Sequence, residues 1–285
     1  MLIGVACTMN QARSPFAQAA LQQNFAEHKF FSTGVEAIFG TPIMESVQAV
    51  AKEWGMKIPK RSSTTIFNDE RLIRDADLVL VAEDSQKEAI SLLGCKKSLK
   101  SFSEIFEDKD FTPRDPEGLS FDAVKREMGK VAAVSIRAVL DASGFAHRHP
   151  IIAIIPHGVS DMAMALAHAQ LERINRNAIL IDADIRAPHQ NEITELGLTP
   201  VTFDIQKLSQ TKPADLQSNA IFTHIREVDF PEKFFIQSTW RLFLQKLSDL
   251  APVVIVTAPR HSHMRKLADS YLASYMADEF SVISC

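Results

Sequence analysis

Cysteine is scarce in this chain, with three in 285 residues, at positions 7, 95 and 285. Their spacing offers neither a disulfide framework nor a zinc-binding pair, which argues against a stapled secreted scaffold and for a reducing compartment. An excess of positive charge is also missing. Lysine and arginine number 31 against 35 aspartates and glutamates, for a net charge of −4 and a pI near 6.1. Such a balance leaves no electrostatic footprint for nucleic acid or an anionic lipid surface. No apolar run reaches the ~18 residues that cross a bilayer. No leader-like segment stands before the first apolar stretch, so a cytoplasmic protein without direct membrane insertion is expected. Repeats, heptads and low-complexity segments are absent.

What is present is 46% hydrophobic and 23% charged residues, a globular composition. The length suits two ordinary domains. A break falls where Gly144, the run His147-Arg148-His149 and Pro150 interrupt a helical pattern, so domains at 1–145 and 146–285 are expected, with residues 144–150 as linker. The first half alternates strand and helix patterns. Residues 2–6, 30–35 and 76–82 read as short strands, the last an apolar run bounded by acids, as in a parallel strand buried on both faces. Residues 15–26, with Pro15 in the first turn, 45–54, closed by Gly55, and 120–140 read as helices. This is an α/β doubly wound layout with flavodoxin-like order, in which ligands bind at the carboxyl ends of strands.

Cys7 stands at such an end. From it run Thr8, Met9, Asn10, Gln11, Ala12, Arg13 and Ser14, placing an arginine six positions after the cysteine in a loop between a strand and a helix start. Backbone N–H groups in such a loop, with the positive end of the helix dipole, converge on a dianion-sized hollow. The same field favours a thiolate at Cys7, placed to attack phosphorus. Arg13 supplies a fork for two equatorial phosphoryl oxygens. Ser14 can hydrogen-bond the sulfur and ease its later departure, and Asn10 tolerates the left-handed backbone that the loop needs.

These residues resemble the low-molecular-weight protein tyrosine phosphatases, whose usual loop is C-x-G-N-x-C-R-S-P. Cys7, Asn10, Arg13, Ser14 and Pro15 match it, while Met9 replaces the glycine and Ala12 the second cysteine. The resemblance continues through Ser32-Thr33-Gly34, Gly40-Thr41-Pro42 and the run 76–81. Asp115-Pro116 falls where the family carries its general acid, which protonates the leaving oxygen and then activates water. The resemblance therefore implies catalytic Cys7, Arg13 and Asp115. Thr8, Met9, Asn10, Gln11, Ala12 and Ser14 would bind substrate, with no metal or cofactor. Family members commonly place an aromatic residue after the Asp-Pro pair; here Glu117 follows. Phe39 is either an aromatic wall for the substrate ring or an apolar anchor for its own loop. In a purely structural reading, Asp115 opens a turn before the last helix.

The second half begins with a strand at 151–155 and a helix at 162–173. The run Leu180-Ile181-Asp182-Ala183-Asp184-Ile185-Arg186 resembles the L-I-D-A-D-x-R of bacterial polysaccharide-biosynthesis tyrosine kinases and their ParA/MinD-like ATPase relatives. Residues 253–259 resemble the strand carrying their second Walker motif. The chemistry is missing, which implies a degenerate P-loop-NTPase-like domain, a pseudokinase. The run 157–162 lacks the lysine of a phosphate loop, Ser160 and Asp161 stand there instead, and Val256 occupies the position of the second Walker aspartate. Asp182 and Asp184 read as caps of the following turn in preference to metal ligands, and His261 and His263 as a solvated loop.

The function implied is phosphomonoester hydrolysis on a phosphotyrosine-bearing protein, such as a bacterial tyrosine kinase or a polysaccharide-assembly protein, with the pseudokinase unit targeting or regulating the phosphatase. A scaffold of two decayed domains is the alternative from another class. A protein-arginine phosphatase and an arsenate reductase, the latter using Cys95 to resolve its adduct, are lesser ones.

Overall fold

Strand β1 (Leu2–Cys7) is buried from Ile3 onward, and a strand that apolar can only lie inside a sheet covered on both sides. The computed structural model describes residues 1–59, 62–95, 97–106, 111–157, 162–174, 178–185, 189–198, 200–202, 221–223, 231–259 and 270–284. After β1 come α1 (Arg13–Asn24), β2 (Lys29–Gly34), α2 (Glu45–Glu53), α3 (Glu70–Asp75), β3 (Leu78–Val81), α4 (Lys87–Leu92), β4 (Ser98–Ser101), α5 (Phe102–Ile105) and α6 (Phe121–Ala142). They belong to a compact unit spanning Met1–Phe145.

Its four strands are all parallel, in the order β2-β1-β3-β4. Ala6, Val79 and Val81 face Ile73 of α3 and Ile90 of α4. Val5, Leu78 and Leu80, equally buried, point the other way, where α1 packs on β1 and α6. The strand order reverses between β1 and β3, and that reversal opens a crevice at the carboxyl end of β1, where Cys7 pairs with Gly34.

Helix α1 starts at Arg13, two residues ahead of the Pro15 expected from the sequence. Pro15 still sits in the first turn, where a missing N–H costs nothing. Gly55 ends α2 at φ 71°. Its N–H bonds the Lys52 carbonyl at 3.1 Å, and that of Met56 bonds Ala51 at 2.8 Å, a Schellman closure that glycine makes without strain. The elements α3, α4, β4 and α5 carry no clear sequence signal. They run four to six residues, and β4 reads Ser-Leu-Lys-Ser.

The second unit, Ala146–Cys285, contains β5 (Ile151–His157), α7 (Met162–Ile174), β6 (Ile179–Asp182), α8 (Gln190–Glu195), β7 (Pro200–Thr202), β8 (Ile221–Thr223), α9 (Pro231–Phe235), α10 (Ser238–Leu250), β9 (Val253–Val256) and β10 (Glu279–Ser284). Its sheet is also fully parallel, ordered β10-β5-β9-β6-β8-β7. Ala163, Met164, Ala167 and Leu171 form one stripe of α7 and pack on Ile154, Leu180, Val254 and Val256, joined by Ile193 of α8. Phe235, Trp240 and Phe243 make a chain of ring contacts at 5.1 and 5.6 Å. Part of the stretch read as linker is bound into this unit. The His147 ring hydrogen-bonds the Met276 carbonyl at 2.8 Å and lies 3.2 Å from Ser248 Oγ, and the His149 N–H bonds the Ser248 carbonyl at 3.0 Å.

Candidate active site

The loop from Cys7 to Arg13 is held from outside through its carbonyls. Those of Cys7, Thr8 and Gln11 accept N–H groups of Val35, Glu36 and Met44 at 3.0, 2.9 and 3.0 Å. Among the described residues, no N–H of residues 8–12 donates to a protein carbonyl. The loop thus turns its acceptors outward and leaves its donors for a ligand, the polarity of an anion-binding nest. Asn10 makes the turn possible. It has φ 52°, the one non-glycine positive φ among the described residues, and is fully buried. Its Oδ1 accepts the Thr64 N–H at 2.8 Å and its Nδ2 donates to Ser14 Oγ at 2.8 Å. Thr64 Oγ1 in turn donates to Asp69 Oδ2 at 2.7 Å.

Cys7 is 3% exposed, and its Sγ lies 3.0 Å from Ser14 Oγ. Asn10 already fills one lone pair of that hydroxyl, and the Thr33 carbonyl is an alternative acceptor for its proton at 3.2 Å. Ser14 can therefore accept from a thiol or swing its proton onto a thiolate. Thr8 Oγ1 accepts from Gln86 Nε2 at 3.1 Å, pinning the loop to the segment after β3. Met9 and Gln11 are partly exposed, and Ala12 is buried just before α1.

Arg13, only 2% exposed, fans its guanidinium between two carboxylates. One terminal nitrogen donates to Glu83 Oε1 at 2.5 Å and the other to Asp115 Oδ2 at 3.0 Å. Among the described residues its Nε has no protein acceptor. Asp115 reaches this arginine across 102 residues of sequence, and its other oxygen accepts the Glu117 N–H at 3.1 Å. It thus opens the local turn and also faces the loop. Phe39 is 66% exposed, so it does not anchor its loop in the core. That loop adjoins the site through the Glu36 to Thr8 bond.

Sequence reasoning missed Glu83, Gln86, Thr64 and Asp69. Glu83 carried a signal, since it follows the apolar β3 at the same sheet end as Cys7. The other three act through loop geometry that no spacing rule encodes.

Cys95 precedes β4 and so lies toward the amino ends of the strands, away from Cys7. Burial raises its thiol pKa, and its place at the opposite sheet end does not bring it to Cys7 as a resolving group. In the second unit the Asp182 carboxylate accepts the N–H groups of Asp184 at 3.1 Å and His189 at 2.6 Å, the geometry of a turn cap. The candidate phosphate-loop residues 158–161, Arg186, His261 and His263 lie outside the described residues.

Residues 2–134 match the family model for low molecular weight phosphotyrosine protein phosphatases. The chain is 34% identical over 86 residues to the probable low molecular weight protein-tyrosine-phosphatase EpsP of Ralstonia nicotianae, covering 30% of this chain and 58% of that protein. It is 33% identical over 79 residues to the corresponding AmsI of Erwinia amylovora, covering 28% and 54%. It thus spans a little over half the length of these curated relatives. Among solved structures, the tyrosine phosphatase Wzb from Escherichia coli K30 is 28% identical, with 50% of this chain and 97% of that one covered and a TM-score of 0.43. The matched residues lie within the first unit and contain the whole loop, its arginine and the facing aspartate, so over residues 2–134 the chain is similar to the low molecular weight phosphotyrosine protein phosphatases.

Proposed function

We propose that the first unit hydrolyses phosphotyrosine on proteins through a phosphocysteine. The observation that carries this reading is the convergence of Cys7, the main-chain donors of residues 8–12 that the loop leaves for a ligand, and Arg13 holding Asp115 at 3.0 Å. The phosphoryl group enters the nest and takes up Arg13 Nε and the nitrogen that Asp115 releases. Cys7 Sγ attacks phosphorus, forming the P–S bond as the P–O bond to the tyrosyl ring breaks. Asp115, now protonated and freed from Arg13, gives its proton to the departing phenolic oxygen. A water then attacks phosphorus, its proton passes to Asp115, and the P–S bond breaks with Ser14 donating to the returning thiolate.

Phe39 gives the substrate ring one wall. The second unit, on this reading, is a pseudokinase that directs the phosphatase to a tyrosine kinase or another protein of a polysaccharide-assembly system. Its support is the L-I-D-A-D-x-R resemblance, with β5 and β9 side by side in one parallel sheet. Asp182 is engaged in capping, and Val256 closes β9 without a carboxylate.

The test is hydrolysis of aryl phosphates and of a phosphotyrosine peptide by the purified chain. Cys7→Ser should abolish turnover with the fold intact, and iodoacetate should inactivate the native enzyme more slowly when phosphate is present. Asp115→Asn should slow poor leaving groups more than good ones. Unchanged turnover in Cys7→Ser would remove the mechanism and leave the scaffold reading standing.

A further inference from the structure

Helix α6 carries a carboxylate into its packed face. Glu127 is 3% exposed, and a buried carboxylate is costly unless charge and hydrogen bonds compensate it. Lys130, one turn further on, supplies charge with Nζ at 3.1 and 3.2 Å from the two oxygens. The remaining contacts go elsewhere. Oε2 accepts the main-chain N–H of Arg114 at 2.9 Å, and Oε1 lies 3.5 Å from Arg114 Nε. Arg114 is the residue immediately before Asp115. Pro113 and Pro116, both buried, flank the pair and have no N–H to give. The amides of Arg114 and Asp115 are thus the main-chain donors available between them, and Glu127 holds the first.

We propose that Glu127 is a positioning residue for leaving-group protonation. By fixing the backbone at Arg114 to α6, it sets the reach of the Asp115 carboxylate toward the bridging oxygen. The inference rests on the phosphatase reading above. Helix α6 packs on α1, and α1 begins with Arg13, so the clamp refers the acid to the element that carries the phosphate fork. Proton transfer requires heavy atoms within about 2.6–3.2 Å, and a displacement of about 1 Å can cost ~10²-fold in rate. A loosened 114–115 backbone would therefore weaken the acid while leaving the nest and the nucleophile in place.

The experiment compares three variants by kcat and KM over aryl phosphates of graded leaving-group strength, with thermal unfolding as a check on folding. The double variant Glu127→Leu/Lys130→Met removes both charges together, so neither is left buried and unpaired, but it offers no acceptor to Arg114. It should lose about tenfold or more in kcat/KM on unactivated phenyl phosphates and less than about twofold in kcat/KM on nitrophenyl phosphates, since kcat/KM ends at phenol release and excludes the common hydrolysis of the phosphocysteine. Glu127→Gln keeps an oxygen for the Arg114 amide and should restore most of the loss. Glu127→Asp keeps the charge beside Lys130 but withdraws the oxygens by one methylene. It should show the same leaving-group dependence in a folded protein, and it decides the question if the double variant does not fold. Uniform slowing across leaving groups, no slowing in any folded variant, or a Gln variant as impaired as the double one would overturn the proposal. Retained turnover in Cys7→Ser would instead remove the phosphatase reading on which it rests.

Discussion

Asn10 shows how one side chain can meet two demands. Its backbone takes the left-handed turn at φ 52°, and its amide joins Thr64 on one side to Ser14, and through it Cys7, on the other. Left-handed backbone costs an ordinary L-residue about 1–2 kcal/mol, and an unsatisfied buried partner costs about 1–3 kcal/mol more. Asn10→Ala incurs both, whereas Asn10→Gly escapes the first. Thermal unfolding of the first unit should therefore rank native above Gly above Ala, and equal Gly and Ala variants would show that the backbone is unstrained. The sequence signalled Cys7, Asn10, Arg13 and Ser14 because those residue types stand together in a loop between a strand and a helix start, and Asp115 only through the family resemblance. Glu83 was signalled only by its place after the apolar β3, and Glu127 not at all, since acids are common and only the fold reveals that one touches a guanidinium and the other a main-chain amide.

At the scale of elements, the nest depends on how closely β2 approaches the loop after β1. Gly34 lies opposite Cys7 in the sheet. A Cβ there would come within 2.7 Å of Ala37 Cβ, 2.8 Å of the Thr8 carbonyl and 2.9 Å of Asn10 Cβ. Two of these three atoms belong to the loop, so Gly34→Ala should displace it and cost far more activity than stability. Aryl phosphate turnover set beside the unfolding midpoint measures the two, and a fully active variant would show that the loop has room to spare. Strands β1 and β3 and helices α2 and α6 were legible because each has a long or strongly apolar face. Strand β4 was not, because an edge strand four residues long needs few apolar side chains. In the second unit α10 buries a stripe of Trp240, Phe243, Leu244 and Leu247 at the spacing of one helix face.

For the molecule as a whole, the two units differ in what acid, base and nucleotide should do to them. Burial disfavours a charge on His189, but the hydrogen bond and charge of Asp182, with Asp184 and Glu192 beyond, outweigh it and raise the ring's pKa. A raised folded pKa means that this stabilisation is complete below the ordinary histidine value of about 6.5 and fades as pH climbs through the folded one. His189→Gln should therefore lower the unfolding midpoint of the second unit more at acidic than at alkaline pH. A difference that grew with pH would contradict the pairing. Nucleotide should matter little. On the pseudokinase reading, with no phosphate-loop lysine and with Val256 where a carboxylate would stand, the chain forgoes two charge-assisted contacts of about 1.5–3 kcal/mol each. That is ~10²–10⁴-fold in affinity. Calorimetry of the full chain with ATP and magnesium should give a dissociation constant above millimolar, and low micromolar binding would overturn the pseudokinase reading.

The pairing of β10 with β5 also bears on how the chain is made. Every strand of the first sheet, and α6 against it, is encoded by residue 142, so that unit can close before the second is complete. Strand β5 gains its neighbour β9 only at residues 253–256 and its outer neighbour only at 279–284. Until then a run of five apolar residues, 151–155, has two open edges. Exposed strand edges on a nascent chain invite pairing with other chains. The second unit is therefore the one for which slow synthesis is a hazard and chaperone cover an advantage, while the first unit can already be folded upstream of it.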